Sequence, residues 1–516
     1  MHTLDWVIIV FYVFLVTGLG IWFGRRQSNI DEFFLGGRSI PWWAALLSLI
    51  ATEISAATFL GAPEQGYTRN LTYLQFSVGT IAARFAIAVL FIGLYYRFNV
   101  YTVYGYLMAR FGLGTNTATA SVFLLGRLFA DGARLFIASL AIHVATGMDV
   151  TQSILALALA ATIYTLFGGI KGVIWTEVIQ ASVLIGGALI LVYSLLSNIP
   201  LGVGQVVQEI HAAGKFQVFD LNFSGWDWLT NPYNVLPAII GGFFLTMATH
   251  GTDQDMVQRL LTCKDSADGK RSMWMSGFLG VGILCVFLFI GQLLFVYANH
   301  LAPGHQMAQL AAQLKAEGHN NQFLLHYIVN VLPPGVTGLV LAAVIAAALS
   351  SLGSGINATS STVITDVYQR YIRTEASPEH YVGASRVTTV LVGSIDAAIA
   401  LAVAYFAQTH TSVDLLSIAL GVMTFFYGGM LGIFLVAIFS KSRGNTLTNI
   451  GGVVLSIITV VYLKYFTALA WPWLIVVGTA VTVGVSLLGR TPTAIRERFE
   501  AEEQAHTAEE QARAAA

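Results

Sequence analysis

The chain carries little charge and almost no cysteine. Only 10% of its 516 residues are charged, against roughly 25% in soluble domains. With 56% hydrophobic residues, that shortage points away from a soluble enzyme and toward an integral membrane protein. The formal net charge of −1 gives no sign of a nucleic-acid partner. Two cysteines, Cys263 and Cys285, exclude a disulfide framework, and neither has His or Cys neighbours at metal-ligand spacing. The first apolar segment, Trp6 to Gly24, has no basic stretch before it. Its charges, Arg25 and Arg26, follow it, so it reads as a retained membrane helix rather than a signal peptide. No polar segment is long enough to form an enzyme domain.

What remains is long hydrophobic runs. An apolar window of about 20 residues selects about thirteen spans, near 5–24, 41–62, 72–96, 117–147, 150–168, 173–197, 234–256, 272–298, 335–363, 387–408, 412–439, 448–466 and 470–489. The expected fold is an all-α integral membrane protein embedded in a lipid bilayer. Its transmembrane domain covers 1–490 and a charged cytoplasmic tail covers 491–516. An odd number of spans puts the termini on opposite sides. With the N-terminus outside, nineteen Lys and Arg fall in inner segments and four in outer ones, which predicts a cell-membrane protein with a cytoplasmic C-terminus. Arg259 is among the nineteen. The outer segments 198–234 and 299–334 are long enough for short amphipathic helices.

Polar residues inside spans carry the functional signal. The stretch Ser48 to Gly61 holds Ser48, Thr52, Glu53, Ser55 and Thr58 at membrane depth, where unsatisfied polar groups are costly. Ser48 alone reads as a hydroxyl bonding back to its own helix. Pro63 and Gly66 predict that the helix stops soon afterwards. Five spans later, 234–255 is interrupted in the same manner, by Gly241-Gly242 and then Thr249-His-Gly-Thr-Asp253. Five spans per repeat inverts the second copy, giving a 5+5 inverted repeat with core halves at about 41–198 and 234–439. Paired interrupted helices of this kind point to a transport site at the bilayer midplane. In the ninth span Ala343, Ala347, Ser350, Ser351 and Ser354 share one helical face. Such a face is either a small-residue packing stripe or a source of hydroxyl ligands for a monovalent cation.

Four motifs in order, Asp31-Glu-Phe-Phe-Leu-Gly-Gly-Arg38, Ser48 to Gly61, Tyr164 to Gln180 and Asp253-Gln-Asp-Met-Val-Gln-Arg259, resemble the sodium:solute symporter family over about residues 5–490. The resemblance implies a leucine-transporter-like fold and a carrier, not an enzyme, that moves a small solute with a sodium ion. Carried over by position, sodium would meet carbonyls of Ala51, Ile54 and Ala347 and hydroxyls of Ser350 and Ser351. A second sodium site in some relatives uses Asp where this chain has Glu177. That residue is either a cation ligand or a carboxylate held by hydroxyls such as Thr176 or the Ser350 pair. Ser55, Thr58 and Gln75 match positions that contact solute, with Glu53 and Asp253 beside them. A Gln typical of sugar carriers is replaced by Leu420, which weakens a sugar assignment.

Arg127, Asp131 and Arg134 share a face of the fourth span, and Arg84 lies within the third. Glu53 is the natural partner for one of these arginines. Counting Asp131 and Glu53 against three guanidiniums leaves one free to grip a solute carboxylate in a bidentate pair, with Arg134 or Arg127 in that role. The competing arrangement is an internal charge network that also uses Glu177 or Asp396.

Overall fold

The computed structural model describes residues 1–24, 29–302, 304–409 and 415–515, with side chains described in the last two stretches for 304–407, 423–506 and 508. Arg25, Arg26 and the side chain of Leu420 lie outside the described residues. Helix α1 (Thr3–Phe23) precedes a broken span made of α2 (Trp42–Glu53) and α3 (Ala56–Thr68), which meet at 67°. Then come α4 (Thr72–Arg97), α5 (Leu113–Thr146) and α6 (Val150–Asn198). A second broken span pairs α7 (Gly242–Gly251) with α8 (Gln254–Leu261). Helices α9 (Ser266–Asn299), α10 (Val336–Ile372), α11 (Pro378–Thr409), α12 (Leu415–Phe439), α13 (Thr446–Phe466) and α14 (Trp471–Leu488) follow, and α15 (Thr493–Ala515) forms the charged tail.

Among the described residues nine helices are long and apolar enough to cross a membrane, or ten if the bent pair counts as one span. The expected thirteen differ by three segments, each with a physical reason. Helix α6 has 49 residues, or about 74 Å at 1.5 Å per residue, more than twice the bilayer core of about 30 Å. Gly169, at φ 49 and ψ −164, breaks it. Its two legs then run along the same stretch of α10. Leu157 shares a small cavity with Leu341 and Val344, Tyr164 donates its hydroxyl to Leu349 O at 2.6 Å, and Gly187 packs against Ala343. Helix α6 is therefore a hairpin of two spans. The second segment is α12, whose described apolar part starts only at Met423. The third is the α7–α8 pair, polar at its α8 end.

The outer segments contain the short helices Val203–Ala212 and Gln306–Glu317, as the sequence suggested. Helix α3 ends at Thr68, soon after Pro63 and Gly66, as expected. Those residues also mark where α3 and α9 touch backbone to backbone: a Cβ on Gly66 would lie 2.1 Å from Leu288 O. One local expectation fails: Gly241 and Gly242 do not interrupt the second broken span; they let Pro472 and Phe76 approach. The interruption falls at Thr252 and Asp253.

At the centre lies α10, almost wholly buried between α6, α5, α11 and α2. Its N-terminus is capped from α1. The Asp5 carboxylate accepts from the amides of Gly335 at 2.7 Å and Gly338 at 3.0 Å, satisfying donors that a helix start leaves open.

Candidate substrate and ion site

The break between α2 and α3 creates acceptors. Ile54 has φ −87 and ψ 83, and Ser55 is extended at φ −78 and ψ 171. The Ser55 amide turns to Glu53 O at 3.2 Å, so Ala51 loses the donor that a continuous helix would supply four residues on. Two hydroxyls from α10 take the freed carbonyls. Ser350 Oγ donates to Ala51 O at 2.7 Å, and Ser351 Oγ to Thr52 O at 3.1 Å. Both also lie near Ala347 O, at 3.2 and 3.1 Å. Ala51, Ile54, Ala347, Ser350 and Ser351 are all buried. The structure thus brings the hydroxyls of α10 onto the broken turn of α2, adding the Thr52 carbonyl to the expected group.

At the second break, protein hydroxyls already fill the freed acceptors. Tyr95 and Tyr104 donate to the carbonyls of Gly251 and Thr252, at 2.5 and 3.3 Å. Asp253 caps α8 through the Asp255 amide at 2.8 Å and accepts from Tyr427 Oη at 2.5 Å. It is buried and caps α8. Gln75 is similarly occupied. Its Nε2 donates to Thr72 O and Tyr233 O at 2.9 and 2.8 Å, and its Oε1 accepts the Asp220 amide at 3.0 Å. It holds the outer segment against α4 rather than facing open space. Ser55 caps nothing with its side chain, and Thr58 is half-buried one turn along α3.

The buried charges correct the count of three arginines against two carboxylates. Of the three arginines, it is Arg84 that pairs with Glu53, Nη2 to Oε1 at 2.5 Å. Glu53 Oε2 has no hydrogen bond, although His250 Nε2 lies 3.9 Å away. Arg127 is fully buried and shared, with Asp131 at 2.8 Å, Asp255 at 2.7 Å and Asp253 at 3.6 Å. Its Nη1 and Nη2 lie against Asp253 and Asp255 as ion pairs without a hydrogen bond, which is the internal-network arrangement. Arg134 is different. Its side chain keeps 16% exposure, Asp131 Oδ1 is 3.8 Å from its Nη1, and Nη1 has no hydrogen bond.

Two further buried arginines, Arg110 and Arg259, were both counted as inner-segment charges. Arg259 is 1% exposed and lies among the packed helices. It donates to Glu177 Oε1 at 3.0 Å, and to Asp255 Oδ1 at 3.0 Å. Glu177 also receives Thr52 Oγ1 at 3.1 Å and Ser48 Oγ. Ser48 is therefore no back-bonding bystander, and Thr176, which bonds back to Gly172 O and Val173 O, does not hold Glu177. The signal was present in Asp253 to Arg259, where alternating acids precede a base at i, i+4. The segment reads as a loop because α8 is short and polar.

A helical membrane protein with two broken spans packed around a central helix is a carrier of the leucine-transporter-like fold. The chain matches the sodium:solute symporter family over residues 33–454 and belongs to it. This is a family of transporters, not enzymes. It is similar to the sodium/sialic acid symporter SiaT of Proteus mirabilis, 30% identical over 90% of each chain. It is also similar to a sodium/glucose cotransporter of Vibrio parahaemolyticus, 27% identical over 91% of this chain and 87% of that one. A solved sodium-coupled sialic acid symporter in a substrate-bound outward-open state aligns with a TM-score of 0.83 at 27% identity, covering 94% of this chain and 97% of that one.

Proposed function

We propose that the protein imports a small carboxylate-bearing solute with sodium by alternating access, with its N-terminus outside and its C-terminus in the cytoplasm. One observation carries the ion site: Ser350 and Ser351 reach across to the carbonyls of Ala51 and Thr52 freed by the break. Sodium would take these oxygens, with those of Ala347 and Ile54, in place of the hydrogen bonds between them. It is then a second cargo rather than a cofactor. Holding α2 to α10 through the ion favours the outward-open arrangement, and the solute completes the site before the halves, about 41–198 and 234–439, rock.

The solute would meet the start of α3, where Ser55 and Thr58 present hydroxyls and the helix N-terminus favours negative charge. Arg134, more loosely paired than Arg127 and 16% exposed, supplies the counter-charge. Glu53 borders the site with its own charge held by Arg84. The names of the sialic acid symporters among its relatives support an anionic solute. A sodium/sugar carrier is the second reading, favoured by the glucose cotransporter among the relatives and weakened by Leu420.

Uptake into proteoliposomes tests the ion site. Ser351→Ala should raise the half-saturating sodium concentration by about tenfold, equivalent to 1.4 kcal/mol, in a protein that folds normally. An unchanged sodium dependence places the ion elsewhere.

A further inference from the structure

Asp396 is a buried ionisable group that the transport site does not use. It lies on α11 three residues before Ile399 and so shares its face. Ile399 presses on α5 at Gly132, where an added Cβ would sit 2.4 Å from Ile399 Cγ2. Asp396 thus looks toward Asp131, the neighbour of Gly132. It is 1% exposed, and neither of its carboxylate oxygens has a hydrogen-bond partner. Asp131 Oδ1 has no hydrogen bond either. The charges acting on Asp396 are those of Asp131 and Arg127, both on α5. From the other elements, α10 brings neutral Gly355 against Asp131, and α6 brings Thr162 Oγ1 against Gly393, one turn before Asp396.

Arg127 is divided among Asp131, Asp255 and Asp253, and it makes no hydrogen bond to Asp396. Arg134 is turned toward Asp131 Oδ1 at 3.8 Å. An ionised Asp396 would therefore be a buried charge with no donor, facing a second carboxylate, and each of those conditions opposes charge. A metal cation would need a shell of several oxygen ligands, and no serine or threonine hydroxyl reaches Asp396 among the described residues. A proton needs no shell.

We propose that Asp396 is a proton-binding site, holding a proton inside the membrane between α11 and α5, separate from the sodium site on α2 and α10. The proton removes a like charge from in front of Asp131 and so leaves the Asp131–Arg127 pair undisturbed.

Infrared spectra of the purified carrier in lipid, recorded in light and heavy water, test this. The wild type should show the carbonyl stretch of a protonated carboxylic acid, shifted by deuterium. That band should be missing from Asp396→Asn and Asp396→Val, both of which replace the acid by a neutral side chain and should keep the wild-type melting temperature within a few degrees. Either variant suffices for the comparison. The proposal is overturned if the band is the same with and without Asp396. It is equally overturned if neither neutral variant can be recovered folded, since the position would then require a negative charge.

Discussion

Arg259 grips both oxygens of Glu177, with Nη2 3.0 Å from Oε1 and Nε 3.2 Å from Oε2. Ser48 and Thr52 donate to the same two oxygens. A carboxylate so occupied has its negative charge met by a fixed guanidinium, which cannot lose its proton. A second sodium ion would have to displace it.

The first prediction follows from that pair. Transport should move one sodium per solute, with a sodium activation curve of Hill coefficient near one. Glu177→Gln should leave that coefficient unchanged and instead destabilise the protein by about 3–5 kcal/mol, the cost of orphaning a buried charge. The check is paired sodium and solute tracer flux alongside thermal unfolding of the variant. A coefficient clearly above one in the wild type, falling to one in Glu177→Gln, would contradict it.

The second prediction concerns the contact of α3 with α9. A Cβ on Gly291 would lie 1.9 Å from Pro63 O, and carbonyl backbone cannot swing aside as a long side chain can. Gly291→Ala should therefore force the two helices apart and lower stability by about 1–3 kcal/mol, as overpacking usually does. Thermal unfolding in detergent measures it. A melting temperature equal to that of wild type would mean that the helices already sit further apart.

What the sequence revealed and what it hid separate along one line. The break at Ile54 was legible because hydroxyls and Glu53 crowd an otherwise apolar run, and so was an arginine partner for Glu53, though not which of the three it would be. Arg259 was not legible. It sits in a polar eight-residue helix between a break and an apolar span, and hydropathy assigns such a segment to water. Only the packing of α8 against α10 and α2 turns its charges inward. Gln75 was placed at the solute by resemblance, and it also binds Tyr233 O and the Asp220 amide from a distant loop; Asp253 also accepts from the Tyr427 hydroxyl, 174 residues on. Such partners leave no trace in local spacing.

The third prediction is a pH effect in the outer segment. Lys215 donates to the carbonyls of Gly66, Tyr67 and Arg69 at 3.1, 2.8 and 2.6 Å, closing the outer end of α3. Its ammonium lies 4.3 Å from the Phe295 ring, and burial pushes it down to about 8. An unfolded lysine titrates near 10.4, so between these values the unfolded chain binds more protons. Linkage then makes this group's contribution to stability rise with pH in that window, since deprotonation relieves the cost of burying the charge. Lys215→Arg cannot deprotonate there. The melting temperature of wild type relative to Lys215→Arg should climb between about pH 8 and 10. Parallel curves would show that Lys215 keeps its charge throughout.

The last prediction concerns the solute. Arg134 shares Asp131 with Arg127, but at 3.8 Å its share is loose, and its other contact is Met423 Sδ at 3.5 Å. A guanidinium so loosely paired, still 16% exposed, is a ready partner for a solute carboxylate. Truncating it should leave the fold intact, because Asp131 retains Arg127. It should cut affinity for anions by about 2–5 kcal/mol, the usual cost of removing one member of a buried charge pair. A purely structural Arg134 predicts the reverse: loss of stability, with solutes of every charge affected alike. Sodium-dependent binding of carboxylates of graded size and of neutral sugars, on wild type and Arg134→Gln, separates the two. Selective loss of the carboxylates is the expected result. Tight binding of a neutral sugar, untouched by the substitution, would return the sugar reading to first place.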